Sequence, residues 1–114
     1  MSRDSATLLD IVLAARDVIE FTAGVERGEF LRNRILQSAI LHKLMVIGEA
    51  VKRVSNETRD RHPQIPWKDI AGLRDKLIHD YGQIDLGQVW DITQARIPDL
   101  LKQLEPLIGE KPRE

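Results

Sequence analysis

Ile40-Leu41-His42-Lys43-Leu44-Met45-Val46-Ile47-Gly48-Glu49-Ala50-Val51-Lys52-Arg53-Val54 is the stretch whose reading decides the fold. At roughly 100° per residue, Ile40, Leu44, Ile47, Val51 and Val54 fall on one stripe. Leu41 and Met45 form a second stripe nearly opposite, with Ser38, His42 and Glu49 beside it. A helix that is apolar on two sides is either central in a bundle or shared with a second subunit, and in a chain of 114 residues the second option is attractive. Gly48 in mid-helix costs up to about 1 kcal/mol relative to Ala, which points to close helix–helix approach.

Outward from this stretch the pattern stays helical. The central helix is expected from about Glu29 to about Arg61. Before it, Asp4 or Ser5 can cap a first helix whose Leu8, Leu9, Val12, Ala15 and Ile19 share one side and which ends near Gly24. After it, Pro63 and Pro66 bracket a tight connection, and a third helix is expected from Trp67 to about Tyr81, with Gly82 as its stop. Asp85 is placed to cap a last helix, with Gln88 in capping-box register. That helix carries Val89, Trp90, Thr93, Ile97, Leu100, Leu101, Leu104 and Leu107, and Pro98 should kink or split it. Trp67 and Trp90 read as core. The expected architecture is all-α, an antiparallel bundle of four to five helices formed by residues 1–108, with 109–114 a charged, frayed tail.

Composition narrows the function classes. There is no cysteine, hence no disulfide framework, thiol nucleophile or thiolate metal site. Met1-Ser2-Arg3-Asp4-Ser5 shows no signal-peptide pattern, and no apolar run approaches the roughly 18–20 residues that span a membrane; a cytoplasmic protein without membrane partners is expected. Net charge is −1, but its distribution is uneven. Residues 52–76 carry seven Lys/Arg against four acids, whereas residues 77–114 carry four against seven. A local positive patch can attract a polyanion even on a near-neutral protein. Lys52, Arg53 and Lys68 are the candidate contacts to such a polyanion; Arg59 and Arg61 belong to the same basic group, which can equally be a solvated helix end. His42, His62 and His79 make no metal-ligand spacing, so no metal is expected.

Arg74-Asp75-Lys76-Leu77-Ile78-His79-Asp80-Tyr81 holds the chemistry. Helical spacing sets Arg74 on an apolar arc with Trp67, Ile70, Ala71, Leu77 and Ile78, where an unpartnered guanidinium would be costly. Arg74 therefore faces a cleft or an anion, or snorkels to the rim. Asp75 stands four residues before His79 and can fix its tautomer. A His that titrates near neutrality and a planar phosphate clamp are the minimum for cleaving RNA without a metal. Glu49 either pairs with an Arg across the bundle or supports that site.

Arg74-x-x-x-x-His79-x-Tyr81 resembles the R-x4-H-x-Y signature of the HEPN superfamily, and the chain looks like HepT, the toxin half of HepT–MntA toxin–antitoxin pairs. The likeness covers nearly the whole chain. Phe30-Leu31, Ile47-Gly48-Glu49-Ala50, Val51-Lys52-Arg53-Val54-Ser55, Pro63 through Ile65-Pro66-Trp67, Leu73 through His79, and Ile84-Asp85 with Val89-Trp90 follow in family order. The resemblance implies a homodimer with both motifs facing one cleft, metal-independent endoribonuclease activity and no cofactor. It implies Arg74 and His79 as catalytic residues, with Asp75 at the polar position after the Arg. It also implies a partner nucleotidyltransferase of the MntA type that transfers AMP to Tyr81. Where many relatives read H-G-Y-F-G-V-D, this chain reads His79-Asp80-Tyr81-Gly82-Gln83-Ile84-Asp85. Asp80 and Gly82 favour an alternative, a dimer of the same fold that holds a nucleotide or the partner enzyme and cuts nothing. A DNA-binding regulator fits less well, because no short helix-turn-helix pair with a polar recognition helix is present.

Overall fold

Hydrophobic spacing of three and four residues along the chain becomes a set of helices packed about one core. The computed structural model describes residues 3–78 and 84–108, apart from the side chains of Arg74 and Ile78. Its elements are α1 (Arg3–Thr22), α2 (Arg27–Arg32), α3 (Arg34–Lys52), α4 (Asn56–Arg61), α5 (Trp67–Ala71), α6 (Leu73–Ile78), α7 (Leu86–Asp91), a π-helical turn (Ile92–Arg96) and α8 (Ile97–Ile108). Among the described residues, no helix is long and apolar enough to cross a membrane.

Cross-helix pairs set the directions. On α1 and α3, Asp17 Oδ2 meets Lys43 Nζ at 2.8 Å, while Asp4 near the start of α1 binds Ser55 just beyond the end of α3. Residue numbers climb on one helix and fall on the other, so the two are antiparallel. Arg16 Nη2 to Glu105 Oε2, 2.9 Å, fixes α8 against α1. Asp69 with Arg96, and Gln64 with Gln103, run α5 antiparallel to the chain entering α8. The all-α antiparallel bundle is thus as expected.

The core is the first stripe of the opening stretch with its partners. Ile40, Leu44, Ile47 and Val51 of α3 are fully buried with Ile11, Val12, Ala15 and Val18 of α1, Ile70 and Leu73 of α5 and α6, and Ile97, Leu100 and Leu104 of α8. Trp67 and Trp90 are both buried, and the Trp90 ring lies 5.3 Å from that of Phe30, tilted by 36°. Gly48 is buried on α3. The second stripe is different: Leu41 and Met45 stay half-buried, while Ser38 and His42 are exposed.

Three boundaries differ from the spacing argument. The single helix expected from Glu29 to Arg61 is broken twice. Asn33 leaves helical geometry (φ −111°, ψ 96°) and its side chain accepts the Leu36 N–H, starting α3 afresh. Ser55 does the same for α4 by accepting the Thr58 N–H at 3.2 Å. In both places a short polar side chain satisfies an otherwise orphaned N–H, which makes interruption as favourable as continuation. Asp4, expected as a cap of α1, lies within that helix; its carboxylate instead accepts the Ser55 N–H, the Ser55 hydroxyl and the Thr58 hydroxyl. These bonds hold the Asp4 carboxyl below the usual carboxylate range, the Ser55 hydroxyl contributing most.

The last helix divides next to Pro98. Proline has no N–H, and its ring crowds the carbonyl four residues earlier. The backbone widens just before it, and the Ile97 N–H reaches back five residues to Ile92 O. A π turn absorbs the proline without ending the helix. Asp85 caps α7 as its spacing predicts, accepting the Gln88 N–H at 3.0 Å. At the end of α1, Gly24 adopts φ 75°, the left-handed conformation that closes a helix cheaply only for glycine.

Candidate active site

The segment carrying Arg74 is anchored from its N-terminal side. Pro66 starts α5, the Trp67 N–H donates to Ile65 O at 2.8 Å, and the Trp67 indole N–H donates to His62 O at 2.9 Å. The proline, the turn and the indole together fix where this rod begins. The third helix expected from Trp67 onward is loosened at Gly72 (φ −81°, ψ −4°), yet i to i+4 bonds persist on either side: the Gly72 N–H to Lys68 O, 3.1 Å, and the Lys76 N–H to Gly72 O, 3.0 Å. α5 and α6 both pack on α3.

Trp67, Ile70, Leu73 and Leu77 are the residues that seal this rod to the core. The arc drawn from spacing omitted Leu73, which is fully buried; Ala71, placed on that arc, is only half-buried. Leu73 and Leu77 bracket Arg74 in sequence, so the backbone bearing the guanidinium is held by buried anchors on both sides. The side chain of Arg74 and all of His79 through Gln83 lie outside the described residues. The expected roles of Arg74, His79 and Tyr81, and the Asp75–His79 hydrogen bond, therefore fall there too.

The supporting residues have defined places. Glu49 is half-buried on α3, the helix against which α6 packs. Its carboxylate lies 3.5 Å from Lys52 Nζ, and its carbonyl accepts from Arg53 Nη1 at 3.5 Å. Lys52 and Arg53 are exposed at the end of α3, and Asp75 and Lys68 are exposed on α6 and α5. The other members of the basic group serve the fold. Arg59 donates to Val51 O at 2.7 Å and to Val54 O at 3.2 Å, satisfying carbonyls at the α3 terminus, and Arg61 donates to Thr58 Oγ1. Spacing misses this role because the carbonyls involved lie across the break between α3 and α4.

A cleft lies between α6 and the face formed by α7 and the π turn. It is lined by Lys76, Gln88, Asp91, Ile92, Ala95 and Arg96. Arg96 was not singled out by the sequence, and Gln88 only as a helix-capping position; Arg96 meets Asp69 only through the antiparallel packing.

Comparison with known proteins agrees with this framework. Residues 11–107 match the family described as Ribonuclease HepT-like. A protein of Methanocaldococcus jannaschii named "Putative RNase MJ1216" is 42% identical over 105 residues, which cover 92% of this chain and 87% of that protein. "Putative RNase TTE0752" of Caldanaerobacter subterraneus subsp. tengcongensis is 38% identical over 94 residues, 82% of this chain and 84% of the relative. "Probable ribonuclease HepT" of Thermococcus cleftensis is 38% identical over 100 residues, 88% of this chain and 91% of its own. No solved structure matches. With a family match that spans nearly the whole helical domain, the chain belongs to the HepT-like family of the HEPN superfamily.

Proposed function

We propose that this chain is a metal-independent endoribonuclease, the toxin of a toxin–antitoxin pair, acting through Arg74 and His79 at a cleft between two copies. The carrying observation is an intact Arg74-x4-His79-x-Tyr81 within a chain that matches the ribonuclease HepT-like family over residues 11–107. The anchoring of α6 by Leu73 and Leu77 supports the reading, because phosphate chemistry needs its clamp on a rigid element. The open face of α3 and its surroundings support the dimer. Leu41, Met45 and Val46 are half-buried there, and Ile35 is 84% exposed near Phe21.

In the reaction the ribose 2′-oxygen attacks the adjacent phosphorus and its proton passes to a base. The phosphorus–O5′ bond breaks, the leaving oxygen takes a proton, and a 2′,3′-cyclic phosphate remains. His79 moves the proton, while the Arg74 guanidinium stabilises the charge that builds on the phosphoryl oxygens. Glu49 and Asp75 orient this pair, and Lys52, Arg53 and Lys68 attract the strand. Silencing is covalent. The Tyr81 hydroxyl attacks the α-phosphate of ATP, pyrophosphate leaves, and the new tyrosyl–AMP diester places bulk and negative charge beside the arginine. A partner nucleotidyltransferase supplies that step.

Cleavage of a labelled RNA in excess EDTA tests the nuclease, with cyclic phosphate ends as the expected product. Arg74→Ala and His79→Ala should each abolish it; cutting by His79→Ala at the wild-type rate would sink the assignment. Co-expression with a nucleotidyltransferase should add whole AMP units to the intact mass, and the added mass should vanish in Tyr81→Phe. Asp80 and Gly82 favour the non-cleaving dimer, and that reading stands if wild type neither cuts RNA nor arrests growth.

A further inference from the structure

The cleft beside α6 has a volume of about 230 Å3. Its walls are Lys76 near the end of α6, and Gln88, Asp91, Ile92, Ala95 and Arg96, spaced to line one face of the helix that enters α8. The charges are already sorted. Asp91 is paired with Arg27 at 3.1 Å, and Arg96 with Asp69. Lys76 is exposed and has no ion-pair partner among the described residues. Ile92, 4% exposed, and Ala95 give an apolar floor. Gln88 presents an amide that can both donate and accept. One cation for a phosphate, an apolar shelf for a ring and one bifunctional amide for a base edge match a nucleotide.

Position ties the cleft to the proposed chemistry. The described part of α6 runs to Ile78 and α7 begins at Leu86, so both walls border the segment of the chain that carries His79 and Tyr81. His79 follows Lys76 by three residues, at most about 11 Å along the chain. A strand cut at His79 therefore reaches the cleft within about three nucleotides.

Resting on the ribonuclease reading, we propose that this cleft is an RNA subsite that seats a nucleotide flanking the cut. Lys76 binds a backbone phosphate, Ile92 and Ala95 support the base, and Gln88 reads its edge. The site would thereby bias where the enzyme cuts, without taking part in the cleavage.

The test uses full-length protein and a fluorescent RNA 2′-O-methylated throughout, which binds but cannot be cleaved. Lys76→Gln should weaken anisotropy-measured binding by about three- to tenfold at low salt and reduce the log–log salt slope by about 0.7. Ala95→Leu, which fills the cleft, should weaken binding without changing that slope. With cleavable RNA, Gln88→Ala should flatten the base preference beside the cut sites. Wild-type affinity and slope in Lys76→Gln, with binding retained in a folded Ala95→Leu, would overturn the subsite, as would no binding by the wild type. Because the probe is uncleavable, a protein that binds through the cleft yet never cuts RNA keeps the subsite and refutes the nuclease. Normal cutting with unaffected variants does the reverse.

Discussion

Replacing Asp4 with Ala removes one carboxylate that ties the start of α1 to the start of α4. It accepts the Ser55 N–H at 3.1 Å and the hydroxyls of Ser55 and Thr58. Those hydroxyls have their own further partners: Ser55 Oγ accepts the Thr58 N–H, and Thr58 Oγ1 accepts from Arg61 Nη2. A hydrogen bond to a charged group contributes roughly 1.5–3 kcal/mol when well shielded. Asp4 is only half-buried, so water replaces much of each bond and screens the charge. We expect Asp4→Ala to lose about 2 kcal/mol for the whole set, with Asp4→Asn between it and wild type. Urea unfolding followed by circular dichroism at pH 7 measures this, and the urea slope should be unchanged. The sign with pH follows from the depressed carboxyl pKa. The contribution is complete above the unfolded carboxyl pKa of about 3.9 and disappears as pH falls through the lower folded value. Wild type and Asp4→Ala should therefore converge in acid. A loss at pH 7 below about 0.5 kcal/mol would refute the magnitude, and a gap that does not shrink in acid would refute the role of the charge.

Phe30→Ala, which empties a fully buried site against Trp90, should cost about 3–5 kcal/mol in the same unfolding experiment. Arg59→Leu strands the Val51 and Val54 carbonyls that the guanidinium satisfies and should cost about 1–2 kcal/mol. Gln103→Met should be neutral or stabilising by up to about 1 kcal/mol. Gln103 Oε1 is buried with no hydrogen-bond partner among the described residues, and its amide nitrogen reaches Gln64 O only at 3.5 Å. Ile35→Lys, at a site 84% exposed in the single chain, should leave monomer stability within about 0.5 kcal/mol but shift sedimentation toward monomer if a second copy covers that face.

Much of this protein was legible one residue at a time. Helical spacing is a local property, so the stripe Ile40–Leu44–Ile47–Val51, the cap at Asp85 and the break in register before Pro98 could all be read from the order of side chains. Covalent and steric facts carried those readings: a missing N–H, a Cβ direction, a carboxylate three residues before an N–H. The R-x4-H-x-Y motif was equally visible, and with it the family.

Tertiary structure decided what depends on partners distant in sequence. Ser55 ends the central helix where Asp4 of α1 holds its N–H and hydroxyl, and Asn33 starts α3 afresh as its cap; a polar residue inside a helical run does not announce whether it will cap a new helix or continue the old one. Asp4 looks like a cap until α4 is brought beside it, and Arg59 looks like part of an RNA patch until its guanidinium meets the carbonyls at the end of α3. Leu73, absent from the arc drawn around Arg74, is one of the residues that seal the motif helix to the core. The cleft between Lys76 and Arg96 joins residues twenty apart in sequence, brought together by the packing of α6 beside α7 and the π turn. Local chemistry names the groups that can act; the packing of the helices determines which of them are already engaged by the fold and which remain available to a ligand.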